Sequence, residues 1–272
     1  MLESINSLPQ SVITSISLFI TQEKIQSEYL LRDGVFSLLD QYCTVLYYPQ
    51  EKEDNDGCHV RRLVNGEVKN FVYINTYKSV EKQVFTAAHE LGHILELDKY
   101  LKEKCPDYTS DMEEMAMNKF AAFLLMPESL FNAEIDKYAA NYCTPDGKIT
   151  LDNLIKFSLQ LMDFFFVPFK SVIIRLFEVG RLSNEDAVKI IKDQSTLGKI
   201  NDYITNLGYK RLGIRSKKKS IKDFSELLDK AEQLQIFPVS KIQSIRNKMD
   251  LTDIDTELLS NTITFVESKS EN

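Results

Sequence analysis

Histidine is scarce in this chain, with three in 272 residues. A membrane-length apolar run is missing as well. A spanning helix needs about 18 or more consecutive apolar residues. The greasiest segment, Leu159 to Phe177, is broken by Asp163, Pro168, Lys170 and Arg175 and reads as core. The start, Met1-Leu2-Glu3-Ser4, lacks the basic residues and apolar stretch of a secretion signal. A cytoplasmic protein away from membranes is therefore expected. Of the four cysteines, Cys43, Cys58, Cys105 and Cys143, none form a Cys-x-x-Cys pair, so reduced thiols are the default. Cys58 adjoins His59, but neighbours on a strand face opposite sides, which argues against a shared site. Basic excess is absent too. The net charge of −7 argues against direct nucleic-acid binding. There are no repeats. A hydrophobic content of 43% over this length allows one large domain or two smaller ones.

Two of the three histidines lie in His89-Glu90-Leu91-Gly92-His93. On a helix, residues four apart share a face one turn apart, so the two imidazoles can grip one metal ion. Glu90 projects to the flank of that face, where an attacking water would lie. This is the HExxH zinc-hydrolase pattern, two ligands and a general base. The plain alternative is a surface helix with two solvated histidines. Context favours the site. Asn70-Phe71-Val72-Tyr73-Ile74-Asn75 reads as a strand and Thr76 to Ser79 as a turn. Ser79 is a candidate N-cap, with Glu81 in the first turn. Val84, Phe85, Ala88, Leu91 and Leu95 recur at helical spacing. Gly92 costs helix stability but lets another backbone approach closely.

A catalytic zinc needs a third protein ligand. A metzincin would continue with Gly and His where this chain has Glu96 and Lys99, so that class is excluded. His59 precedes the motif. A carboxylate or cysteine on a later helix remains. That helix is Asp111 to Met126, with an apolar stripe of Ala116, Met117, Phe120, Ala121, Leu124 and Leu125, stopped by Pro127. Glu113 and Glu114 are the candidates. Asn118 lies four residues after Glu114 and can support it by a hydrogen bond, which favours Glu114. Glu113 stays the alternative, and both carboxylates also suit a helix N-terminus.

His89-Glu90-Leu91-Gly92-His93, followed about twenty residues later by Glu114-x-x-x-Asn118-x-Phe120-Ala121-Ala122-x-Leu124-Leu125-Met126-Pro127, resembles the ImmA/IrrE family of metallopeptidases. Phe71-Val72-Tyr73-Ile74-Asn75 and Gln83-Val84-Phe85-Thr86-Ala87-Ala88 resemble that family's entry into the motif. The likeness is clear over residues 36 to 130 and continues more weakly to about 195. The family often reads Glu-Ala-Asn where this chain has Ala116-Met117-Asn118. If the family ligand were that glutamate, Glu114 would be the nearest substitute. The resemblance implies an intracellular peptidase acting on a protein substrate, such as a helix-turn-helix transcriptional repressor.

The expected fold class is α+β. A mostly helical zincin-like peptidase domain, with a small, largely antiparallel sheet, would span residues 1–196. A basic linker would follow over 197–222, and a helical C-terminal appendage over 223–268. Strands are expected at Cys43–Tyr48, His59–Leu63 and Phe71–Asn75, the last two joined by an Asn65-Gly66 hairpin. Within 208–222, Arg215-Ser216-Lys217-Lys218-Lys219 reads as a solvated loop, and residues 268–272 as disordered. The proposed site holds one Zn2+, or another divalent ion, on His89, His93 and Glu114. Glu90 serves as base, and His59, Tyr73 or Arg175 is a candidate for stabilising the oxyanion. The competing reading is a peptidase-fold protein with a structural or vestigial metal site that sequesters a regulator. The intact Glu90 argues for hydrolysis, because a structural zinc needs no base.

Overall fold

The computed structural model describes residues 8–25, 30–52 and 54–249. The chain divides into two compact units, Met1–Lys218 and Lys219–Asn272. In the first unit, α1 (Gln10–Gln22) and α2 (Gly34–Tyr42) lead into β1 (Thr44–Tyr48), β2 (Gly57–Val64) and β3 (Glu67–Asn75). Then come α3 (Val80–Ile94), α4 (Leu97–Lys104), α5 (Glu113–Leu125), α6 (Glu128–Tyr142) and α7 (Leu151–Phe165). The unit continues with α8 (Phe169–Glu178), α9 (Asn184–Lys192) and α10 (Gln194–Asn206). The second unit contains β4 (Ser220–Ile221), α11 (Phe224–Gln233) and α12 (Val239–Lys248).

The β2–β3 hairpin turns at Asn65 and Gly66, both with positive φ (54° and 84°). That is the backbone a two-residue hairpin turn requires, and it fixes Val64 opposite Glu67. On the other side of β3 lies β1, and this pair is parallel, from Thr44↔Phe71 to Tyr48↔Asn75. The sheet is therefore mixed rather than largely antiparallel. The segment between β1 and β2 carries the chain past β3, so β2 returns on the far side and leaves β1 and β3 running the same way. Val45 and Tyr47, with Val72 and Ile74, are buried at alternate positions, as expected of strands with one face on a core. No residue of the outer strand β2 is fully buried.

Helix α3 is the central core helix. Val84, Ala87, Ala88 and Leu91 have no exposed surface. It packs on α5, whose Ala116, Met117, Phe120, Ala121 and Leu125 are equally buried. Gly92 lies on that contact, with no space for a side chain. A Cβ there would lie 2.7 Å from Met117 Sδ and 3.1 Å from the Phe120 ring. Side chains, not a second backbone, use the space. Phe19 of α1 closes the far side against Phe120 and Tyr100, with ring centroids at 6.2 and 4.9 Å.

The later helices follow their local signals. Thr150 caps α7 by accepting from Asn153 N–H (3.2 Å), and Ser183 caps α9 by accepting from Asp186 N–H (3.1 Å). Pro168 precedes α8, and Gly180, at φ 73°, ends it. Helices α7 and α8 meet at a 102° bend with their apolar faces in the core. No single helix among the described residues is long and apolar enough to cross a membrane.

Two expectations for the segment after residue 196 are corrected. Residues 194–206 form helix α10, where a linker was expected from 197. The basic run is not a free loop up to Lys218. It straps across the start of α3. Ile214 C=O accepts from Val80 N–H (2.8 Å), Lys217 N–H donates to Thr76 C=O (3.0 Å), and Thr76 Oγ1 donates to Lys218 C=O (2.7 Å). Gly213 N–H points at the Glu81 carboxylate (3.3 Å). The Arg215 guanidinium lies 4.4 Å above the Tyr77 ring. Ser79 occupies the N-cap position, but its side chain caps nothing. The strap's carbonyl serves the first helical N–H instead. Sequence periodicity could not show this, because the partner is backbone more than 130 residues away.

In the second unit, Leu228 and Ile242 are buried, and Arg246 pairs with Asp229 and Glu232. The helical expectation beyond residue 249, and that of disorder over 268–272, lie outside the described residues.

Thr76 has no exposed surface. Thr76→Val removes its hydrogen bond to Lys218 C=O at nearly constant volume. We expect a loss of about 1 kcal/mol, read as a lower urea midpoint with unchanged slope.

Candidate metal centre

The last two turns of α3 carry His89, Glu90 and His93, and the first two turns of α5 face them. His89 Nε2 and His93 Nε2 lie 3.3 Å apart. The Glu114 carboxylate spans both, with Oε2 3.2 Å from His89 Nε2 and Oε1 3.5 Å from His93 Nε2. Their donor atoms lie within 4.8 Å of one another, and this is the one such group of three among the described residues. Glu114 is therefore brought to the two histidines. Its side chain is 73% exposed, so the group opens to solvent on that side.

The spacing fits a metal ion. Two imidazole nitrogens bound tetrahedrally at zinc–nitrogen distances would stand roughly 3.3 Å apart. The hydrogen bonds fit as well. His89 Nδ1 donates to Asn118 Oδ1 at 3.1 Å, which leaves Nε2 as a bare lone pair. Asn118 thus supports His89, not Glu114 as its spacing suggested. The reason is geometric: Glu114 reaches across to α3, and Asn118, one turn further along α5, meets the next imidazole. Glu113, the alternative ligand, lies elsewhere. Its Oε1 sits 3.2 Å from His93 Nδ1, on the ring edge away from the convergence point. Burial, then the neighbouring His93, hold His89 below the ordinary imidazole range, partly offset by Glu114 and Asn118. Two imidazoles and a carboxylate suit a divalent cation of zinc type.

Glu90 is 6% exposed. Burial, then the charge of Glu114, push its carboxyl from 4.5 up to about 7. A base that ionises near neutral pH suits proton transfer at neutral pH. Gly57, at the start of β2, lies beside it and packs closely on Thr86 of α3. A Cβ there would stand 2.5 Å from Thr86 Cγ2, 2.7 Å from Tyr73 O and 3.6 Å from Glu90 Oε1. Asp56-Gly57 reads in the sequence as a turn signal only, and nothing local indicates that the strand must touch the metal helix there.

The three oxyanion candidates separate. His59 projects from β2, its ring stacked on His93 at 6.3 Å between centroids and 25° between planes. Its Nε2 is 2.9 Å from Asn70 Oδ1, and burial holds its pKa below the usual value. Tyr73 is spent elsewhere, donating its hydroxyl to Tyr48 C=O at 3.1 Å. Arg175 is a core residue, its side chain 3% exposed. It pairs with Glu178 at 3.1 Å and Glu128 at 3.6 Å and lies 4.8 Å above the Phe123 ring. Both are withdrawn as candidates. All four cysteines are free thiols, and none joins a three-residue metal group among the described residues.

Gly57→Ala should destabilise the protein by about 1–3 kcal/mol, because the Tyr73 carbonyl cannot yield as a flexible side chain would. Chemical denaturation measures it. The Glu90 carboxyl gives a pH signature in the metal-free protein. Its folded pKa of about 7 exceeds its ordinary 4.5, so its contribution is fully present below 4.5 and lost as pH rises to about 7. The stability of wild type relative to Glu90→Gln should fall across that window. Urea titrations of both proteins at pH 4.5 and pH 8 test this.

Residues 40–177, just over half of the chain, match the family model of the IrrE N-terminal-like domain, peptidase M78. The match takes in β1 through most of α8 and with them every residue of the site just described. A search of curated proteins found no match. The chain belongs to the peptidase M78 family of IrrE N-terminal-like proteins.

Proposed function

We propose that the chain is a zinc-dependent endopeptidase that hydrolyses a peptide bond in a specific intracellular regulator, with a helix-turn-helix repressor as the expected class. The observation that carries the hydrolytic reading is Glu90. A structural metal site has no use for a buried carboxyl placed between its two histidine ligands on the same helix. His89, His93 and Glu114 would hold the ion, which when bound supplies Lewis acidity toward water and the scissile carbonyl.

The chain's own groups do the rest. Glu90 takes a proton from the attacking water and returns it to the leaving amine. His59 flanks His93 from the edge strand and would steady the developing oxyanion only by releasing its Nε2–H from Asn70. Strand β2 lies at the sheet edge, bringing Gly57 beside Glu90 and His59 over His93. An extended substrate segment added along β2 would pass the metal group, with main-chain hydrogen bonds holding it. The exposed Glu114 side leaves room for a protein-sized substrate.

The test is co-expression with candidate regulators, followed by mass spectrometry of fragments. Wild type should yield a defined cleavage product. Glu90→Gln should keep the metal and lose the product. His89→Ala should lose both metal and product. Cleavage by Glu90→Gln at the wild-type rate would sink the mechanism.

A further inference from the structure

Two consecutive glutamates open α5, and only one is needed as a ligand. Both reach His93. Glu114 Oε1 meets the Nε2 edge of the ring at 3.5 Å, and Glu113 Oε1 meets the Nδ1 edge at 3.2 Å. The imidazole is bracketed by carboxylates at its two nitrogens. A neutral imidazole carries one proton, so the two edges must play different parts. With Nε2 turned to the metal group, a neutral ring would keep its proton on Nδ1, and Glu113 Oε1 is the acceptor that stands 3.2 Å from it. The Nε2 lone pair then faces His89 Nε2, 3.3 Å away.

His89 shows the same design with a weaker partner. Its Nδ1 donates to the amide oxygen of Asn118 at 3.1 Å. One helix thus brings an acceptor to the Nδ1 edge of both imidazoles, charged on one and neutral on the other. A carboxylate draws the Nδ1 proton more strongly than an amide oxygen does. The ring it holds becomes the more basic ligand.

Resting on the metal-centre reading above, the geometry assigns Glu113 as the positioning residue of His93: it is not a ligand, but it fixes the ring's tautomer and raises its donor strength, making His93 the stronger of the two histidine ligands. Glu113 also sits in the first turn of α5, where any carboxylate is favoured by the helix dipole. That bland role and the positioning role differ in what they predict. A dipole partner stabilises the metal-free fold and leaves metal affinity alone. A positioning residue does the reverse.

The experiment compares full-length wild type with Glu113→Ala, Glu113→Gln, Glu114→Ala and Asn118→Asp. Zinc affinity is measured by competition with a chromophoric chelator, the ligand field by the visible spectrum of the cobalt-loaded proteins, and metal-free stability by urea unfolding. Glu113→Ala should weaken zinc binding ~10–100-fold, with metal-free stability close to wild type. Glu113→Gln should recover part of that loss and keep a tetrahedral cobalt spectrum, because its amide oxygen still accepts from Nδ1. Asn118→Asp should tighten zinc binding. Glu114→Ala should be the most damaging and change the cobalt spectrum. If Glu113→Ala binds zinc within about twofold of wild type while its metal-free form is destabilised, Glu113 is a helix-end carboxylate and the assignment is wrong. If Glu113→Ala and Glu114→Ala alter affinity and spectrum equally, Glu113 is a ligand and the assignment is again wrong. Wild type that binds no zinc would overturn the metal-centre reading itself, and this assignment with it.

Discussion

Helices α3 and α5 meet at Gly92, and the metal group depends on that contact. With no side chain there, Met117 and Phe120 can seat against α3. Glu113, Glu114 and Asn118 then arrive opposite His93 and His89 rather than above or below them. Carboxylate and imidazole contacts near 3.2 Å tolerate little error. The apolar seam behind them, with no exposed surface at Leu91, Met117 or Phe120, supplies the rigidity.

The opposite side of α5 is held by charge. Lys119, next to Asn118, pairs with Glu178 of α8, which also takes Arg175. Arg175 in turn reaches Glu128 at the start of α6 and stacks on Phe123 and Phe131. A buried guanidinium is costly unless fully partnered, and removing one partner of such a pair costs about 3–5 kcal/mol. The network ties α5 to α8 from behind and reaches α6 through Arg175. The strap over residues 213–218 does the equivalent for the N-terminal end of α3, occupying Val80 N–H and the Glu81 carboxylate. Both ends of the metal scaffold are thereby tied to segments distant in sequence.

Much of this was legible in the residues. The spacing of His89, Glu90 and His93 needs only helical geometry, and the apolar period around them predicts the helix. The Asn65-Gly66 hairpin, the caps at Thr150 and Ser183, and the stops at Pro127 and Gly180 follow from local backbone chemistry. The Asn118 spacing favours Glu114 over Glu113, and Glu114 does stand beside both histidines, but Asn118 is not its support. Asn118 does serve as an outer partner, but of His89. Spacing within one helix says which residues share a face. It does not say which residue of another helix each one will meet.

What the sequence by itself determined is therefore local and periodic: the helices, the hairpin, the histidine pair with its glutamate, and the resemblance that joins them. Tertiary structure decided the rest. It made β1 and β3 parallel, turned the basic run into a strap, and put Gly57 against Glu90. It also placed His59 over His93, sent Tyr73 and Arg175 to structural partners, and divided two adjacent glutamates between the two edges of one imidazole. Each of these depends on contacts between segments far apart in the chain. Their register depends on how the apolar seams pack, and no local rule of spacing or propensity encodes it.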